Sequence, residues 1–284
     1  MKHPGSHPAD LCTRLGCIAN ELRLMVLDML HSAGSGHLGG SMSAAEIVSV
    51  LFFHQLRIDP KQPNWPDRDR FVASKGHCAP ILYAALAKRG YFPESVLSTF
   101  RCLGSSLQGH PDMNKTPGVD MTAGSLGHGI SVGIGMALGA RLAKNDFRTY
   151  VLIGDGESDE GQIWEAAMAA VKFKLGNLTV ICDFNRLQLD GPVEEVMPLE
   201  PLADKWRSFG WNVLEAEGHN VVALAEALDQ ATAAAAPTVI LAHTVKGKGV
   251  SFAENCFEWH GKPVDAQHYS QACQELAKRM KDAK

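Results

Sequence analysis

The chain has 284 residues, 45% of them apolar, 20% charged and 7% aromatic, the make-up of a globular α/β protein. Its 27 Lys and Arg against 31 Asp and Glu leave a net charge of −4, so there is no basic excess for a nucleic-acid backbone or an anionic membrane. The N-terminal residues lack the apolar core of a secretory signal, and no uncharged run reaches the roughly 18 apolar residues needed to span a bilayer.

Residues 1–9 read as a Pro/His/Gly tail. Residues 11–31 carry apolar side chains at helical spacing (Leu15, Ile18, Leu22, Met25, Val26, Met29), which predicts a long amphipathic helix. A second helix is expected over 43–56, with Ser43 and Glu46 at the spacing of a capping box. A third is expected over 79–89, stopped by Gly90. The second half alternates more regularly. Strand-like runs at 149–153, 178–182, 211–215 and 238–243 are separated by helical stretches at 162–174, 201–209 and 221–236. Strand, helix and strand joined by short connections predict right-handed βαβ units: an α/β fold with a parallel sheet flanked by helices on both faces. No shift in composition marks a second domain, so residues 10–284 are expected to form one domain, with a charged helical tail from about residue 270.

Ligands of such sheets sit beyond the carboxyl ends of the strands. Two turns fall there: Gly154-Asp155-Gly156, and Asp183-Phe184-Asn185 one βαβ step later. A carboxylate and an amide oxygen brought into one crevice are hard ligands suited to Mg²⁺ or Ca²⁺, with a diphosphate completing the shell. Alone, Gly-Asp-Gly describes a solvated turn better than a site; the spacing, the strand contexts and the following Glu157, Asp159 and Glu160 favour a ligand site. The seven cysteines are scattered, odd in number and without a CxxC pair. They read as reduced thiols of a cytoplasmic protein, and no HxH or HxxxH pair offers a histidine metal cluster. Cys78, beside His77, is expected to be buried rather than nucleophilic.

The string GDGESDEGQIWEA with Asn185 thirty residues after Asp155 resembles the thiamine-diphosphate signature of transketolases. The upstream stretches SAGSGHLGGSMSAAEI (His37), DRFVASKGHCAPILYA (Lys75, His77), QGHPD (His110) and AGSLGHGISVGIGMA strengthen the match, which runs from about residue 11 to the WHGKP stretch at His260. The resemblance implies that Asp155, Asn185 and the carbonyl of Leu187 hold Mg²⁺, with Ca²⁺ or Mn²⁺ as substitutes. Gly156 would approach the diphosphate, and Gly124, Ser125 and Leu126 would line the cofactor. Lys75 and Lys246 would neighbour the phosphates, and Glu160 would join an acidic network between subunits. His37, His77 and His110, each in a glycine-containing loop, and less securely matched His260 would line the channel above the thiazolium ring, His110 foremost in contacting ketose oxygens and handling protons. His3, His7, His31, His54 and His219 are left as ordinary histidines. Among the helix glycines, packing against another helix is expected from Gly133 onward.

Long transketolases continue for several hundred residues beyond this point, with a cofactor-activating glutamate and substrate-gripping arginines. The expectation is therefore the diphosphate-binding subunit of a split transketolase, whose charged C-terminal stretch looks like a natural end. It would be completed by a separate C-terminal-type subunit in an α₂β₂ assembly and would act on sugar phosphates. The competing readings are a deoxyxylulose-phosphate synthase-like or 2-oxo acid dehydrogenase-like component, a cofactor-binding protein without turnover, and a transketolase specialised for an unusual or sulfonated sugar.

Overall fold

The computed structural model describes residues 8–282. Helix α1 (Pro8–Ala33) is followed by the short helices α2 (Gly39–Ser43) and α3 (Ala45–Val50), a π turn, strand β1 (Arg70–Ala73) and helix α4 (Ala79–Arg89). After a long loop, helix α5 (His128–Leu142) leads to β2 (Thr149–Gly154), α6 (Gly161–Lys172) and β3 (Leu178–Phe184). Then come α7 (Val193–Val196), α8 (Leu202–Ser208), β4 (Asn212–Glu217), α9 (Val221–Ala233), β5 (Thr238–His243) and α10 (Ala266–Asp282). All strand pairs are parallel, in the order β1-β2-β3-β5-β4.

The near-continuous apolar runs of β2, β3 and β5 follow from burial on both faces. Successive side chains point to opposite sides. Tyr150, Leu152, Ile181 and Ile240 therefore enter one core, with α1, α3, α4 and α9. Val151, Ile153, Val180 and Leu241 enter the other, with α5, α6 and α8. The expected two-sided covering is thus what the strand sequences produce. β1 is an addition to the expected strands: its four residues are too few to show a period, and only the register Arg70–Thr149 to Ala73–Leu152 identifies them as a strand.

Three expectations change. The helix expected over 43–56 is broken: Ser43 ends α2, and the Leu56 amide reaches back five residues to the Leu51 carbonyl. No capping box forms, because Ser43 Oγ donates to Asp183 and Glu46 pairs with Arg23. The charged tail expected from about residue 270 is helical as expected, but α10 starts at Ala266 and turns the fully buried Ala272 and Leu276 into the core against α1. Finally, Gly133 packs on the sheet rather than on a helix. A Cβ there would lie 2.6 Å from Val151 Cγ2, so α5 can approach β2 this closely only with glycine at that position, while Gly135 and Gly139 face open space. Of the expected tail, residues 1–7 lie outside the described residues; the backbone of Pro8 and Ala9 already belongs to α1. Among the described residues no helix is long and apolar enough to cross a membrane.

Candidate active site

Register places the ends of β2, β3 and β5 side by side: Gly154 is level with Asp183, and Asp183 with Ala242. The turns that leave these strands therefore meet at one crevice, where a cavity of about 220 Å³ opens. Asp155, Gly156, Asn185, Leu187, Lys75, His77, Leu126, Lys246 and His260 of the expected set all line it. His37 and His110 do not touch the cavity itself but continue from it. The His37 ring centroid lies 5.4 Å from that of His77, 5.2 Å from His260 and 6.3 Å from His110, and His77 lies 5.0 Å from His260. Four imidazoles from four separate loops thus form one cluster at the cavity's edge. Gly124 backs it, with a would-be Cβ 3.8 Å from the His110 ring. Ser125 and Glu160 are exposed and outside the lining; Glu160 is the N-cap residue of α6.

Burial sets the charge state of these rings. It lowers His37 to about 4, aided by the charges of Arg101, His110 and Lys246. It lowers His260 to about 3, with Lys246 next in effect. His77 is pushed down by burial and by Lys75, and His110 by burial and by Arg101. At neutral pH the cluster is uncharged, a set of imidazoles able to accept or donate at carbonyl and hydroxyl oxygens. The buried Nδ1 atoms of His37 and His260 have no hydrogen-bond partner among the described residues, which leaves them for a ligand.

The floor is acidic and tightly tied. Asp183, fully buried, receives Lys75 Nζ, Thr244 Oγ1, Ser43 Oγ at 2.6 Å and Asn185 Nδ2 at 3.3 Å. Burial alone would raise its carboxyl; the Lys75 ammonium and the hydrogen bonds outweigh that and hold it low. Lys75 Nζ also donates to the Gly40 carbonyl at 3.2 Å. It therefore lines the cavity as the counter-ion of Asp183. Asp155 is raised to about 6 by burial and by the Asp183 charge, a carboxylate whose surroundings call for a cation. Its Oδ1 accepts from the Gly156 amide at 2.8 Å and its Oδ2 from the Arg186 amide. Glu157 braces the same turn by accepting from the amides of Gly127 (2.8 Å) and Gly154 (3.1 Å) and from Ser74 Oγ.

The donor set fits a hard divalent cation and a diphosphate. Asp155, the Asn185 amide oxygen and the Leu187 carbonyl are all oxygen ligands of the kind Mg²⁺ takes. The Leu187 carbonyl already faces a cation, Lys246 Nζ at 2.9 Å, which also donates to the Gln188 carbonyl at 2.7 Å. Burial and the neighbouring Lys75 lower Lys246 to about 8. Among the described residues no group of three or more His, Cys, Asp and Glu side chains is placed to hold a metal ion by itself. Gly40 leaves room where a Cβ would stand 3.2 Å from His77 Nε2 and 3.3 Å from Lys75 Nζ.

Sequence reasoning misses Asp183 as a structural hub, together with its partners Ser43 and Thr244, and Gln188 in the lining. The visible signal for Asp183 is an acid closing an otherwise apolar strand; its partners carry no local signal. Cys78 is buried, and burial pushes its thiol up to about 12, as expected of a packed cysteine.

Residues 16–281 match the family model described as transketolase, thiamine diphosphate binding domain. The chain is 47% identical over 261 residues to the 6-deoxy-6-sulfo-D-fructose transketolase subunit SqwG of Clostridium sp. (strain MSTE9), covering 92% of this chain and 95% of that one. It is 42% identical over 261 residues to an apulose-4-phosphate transketolase subunit of Phocaeicola vulgatus, covering 91% and 92%. Among solved structures, transketolase of Campylobacter jejuni superposes with a TM-score of 0.88 at 33% identity, covering 93% of this chain but 42% of that one. The chain spans less than half of such a full-length transketolase and nearly the whole of the subunit-type proteins. The chain belongs to the transketolase family, and is a transketolase subunit built on the family's thiamine diphosphate-binding domain.

Proposed function

We propose that this chain binds thiamine diphosphate and Mg²⁺ in the cavity at the ends of β2, β3 and β5, and that with a separate C-terminal-type subunit, in an α₂β₂ assembly, it transfers a two-carbon ketol unit from an anionic ketose to an aldose. The observation that carries the reading is the joining of two features: an oxygen-lined, lysine-bearing cavity and, at its rim, four uncharged histidines. Asp155, Asn185 and the Leu187 carbonyl would hold the metal, with Lys246 turning from the carbonyls toward the phosphates. Thiamine diphosphate, when bound, supplies the nucleophilic carbon and the electron sink for breaking the bond beside the ketose carbonyl.

This chain's residues do the rest. Lys75, locked to Asp183, keeps the floor neutral and rigid. His37 and His260 offer their free Nδ1 atoms to substrate oxygens. His110, the least buried of the cluster, exchanges a proton with the ketose or aldose oxygen: the uncharged ring takes the proton from a hydroxyl, and the imidazolium so formed returns it to an oxygen. The two subunit-type relatives are named for sulfonated and phosphorylated sugars, so the donor proposed here is a ketose bearing a sulfonate or phosphate. The seven unpaired cysteines suit a reducing compartment such as the cytoplasm.

The test is a titration of the chain with thiamine diphosphate and Mg²⁺, with and without its partner subunit, together with a ketol-transfer assay of the same samples. Asp155→Ala and Asn185→Ala should abolish Mg²⁺-dependent binding, whereas His110→Ala should bind normally and lose about 10²-fold or more in turnover. Equal loss of binding in all three would contradict the division of roles.

A further inference from the structure

His219 lines no part of the cavity, and its sequence context gives no reason to single it out. It sits in the turn between β4 and α9, just before Asn220, which caps α9 by accepting from the Val222 and Ala223 amides. Its side chain is 12% exposed and bonded at both nitrogens. The Val245 amide donates to Nε2 at 2.8 Å, so that nitrogen carries no proton. The proton is therefore on Nδ1, which donates to Glu46 Oε2 at 2.9 Å. Glu46 in turn is gripped by both terminal nitrogens of Arg23, at 2.7 and 2.6 Å, and Arg23 is 2% exposed. The ring's orientation and tautomer are thus fixed from α1 and α3, before it meets the loop.

That loop leaves β5 and carries Lys246 into the cavity. The Thr244 amide makes the last bond to β3, to the Phe184 carbonyl at 3.1 Å, and beyond it the loop is held by side-chain and turn contacts, among them the Lys248 amide on the Val245 carbonyl at 3.1 Å. Thr244 Oγ1 goes to Asp183, the Gly247 amide to the Gly39 carbonyl at 3.0 Å, and the Lys246 carbonyl accepts from the Asn255 amide at 2.9 Å. His219 supplies the anchor at Val245, one residue before the lysine. The Lys246 side chain reaches the Leu187 and Gln188 carbonyls only if this stretch of backbone is held.

We infer that His219 is a positioning residue of the cofactor pocket: through Nε2 it holds the Val245 amide and so aims Lys246 at the site where metal and diphosphate meet. The inference rests on the cavity being the cofactor site. The two ring nitrogens separate its positioning role from a merely structural one. Glutamine places an oxygen where Nε2 stands and keeps the bond to Val245; asparagine places its amide where Nδ1 stands and keeps only the bond to Glu46.

The experiment compares His219→Gln, His219→Asn and His219→Ala in the full chain by three readouts. These are hydrogen exchange at the Val245 amide without cofactor, the dissociation constant for thiamine diphosphate with Mg²⁺, and unfolding by urea. His219→Gln should keep Val245 protected and bind within about twofold of wild type. His219→Asn and His219→Ala should lose that protection and bind about 5- to 10-fold more weakly, the order of one neutral hydrogen bond. Affinity that follows the order of urea stability, or equal affinity in the Asn and Gln variants of a chain whose wild type binds, overturns the inference and leaves the pocket assignment standing. A wild-type chain that binds no thiamine diphosphate overturns both.

Discussion

Replacing Asp183 by Asn keeps the shape of the side chain and removes its charge, which makes it the sharpest test of how the floor of the site is held. The carboxylate is fully buried and its partner Lys75 is 2% exposed. In the variant, Lys75 loses its counter-charge and keeps the Gly40 carbonyl at 3.2 Å, with the buried Asp155 beyond. Removing one partner of a buried pair costs about 3–5 kcal/mol, because the survivor stays desolvated without its counter-charge. At about 2–4 °C per kcal/mol for a chain of this size, the melting point should fall by roughly 6–20 °C. Lys75→Met should cost less than Asp183→Asn, because hydroxyls of Ser43 and Thr244 still serve the remaining acid. The double variant should be no worse than the worse single, giving a coupling of about 2 kcal/mol or more, against the roughly 0.5 kcal/mol within which independent sites add. Urea unfolding of the four cofactor-free chains at pH 7.5 measures the cycle. A loss below about 1 kcal/mol for Asp183→Asn, or additive singles, would refute the claim that this pair is what keeps the floor closed.

Further outcomes follow from the same geometry. His37 and His260 titrate at about 4 and 3 in the folded chain against an ordinary 6.5, so between pH 6.5 and 4 the unfolded chain binds more protons and stability should fall as pH falls. Urea midpoints at pH 7 and pH 5 should show this, and His37→Asn/His260→Asn should flatten the difference; an unchanged slope would count against the buried, neutral cluster. Glu46, held at about 2 by Arg23 and His219 against its own burial, acts at lower pH, losing its contribution only as pH drops from about 4.5. Gly133→Ala should destabilise by about 1–3 kcal/mol, since its Cβ meets Val151 at 2.6 Å. Gly16→Ala, in α1 with nothing within 4 Å of the new methyl, should stabilise by up to about 1 kcal/mol; thermal melts of the pair check both signs.

What the sequence makes legible depends on how local each cause is. β5 and α4 lie where their residues predict, because a six-residue β-rich run and a helix closed by Gly90 state their own limits. Ser43 and Glu46 have the spacing of a cap, yet each is claimed by a distant partner, Asp183 or Arg23, that no neighbouring residue announces. The stretch from residue 270 shows its charges more plainly than the two apolar residues that bury it. At the site, motif residues such as Asp155, Asn185 and His77 converge as their contexts imply, because strand ends of one parallel sheet must meet. His219 resembles any lone histidine before a helix; its value lies in Val245 and Glu46, which only the folded chain brings to its two nitrogens.

Three of the four groups around Asp183 also bear on how this chain folds. Ser43 is 140 residues away along the chain, Lys75 is 108, and Thr244 is 61 on the other side. Such separations carry a large loop-closure cost, so these contacts belong to the late, slow part of folding. No segment shorter than the span from Ser43 to Thr244 contains the whole cluster. A cut anywhere in that span would leave two fragments that must find each other before the site exists, and ligand binding by this chain would report the completion of its entire sheet.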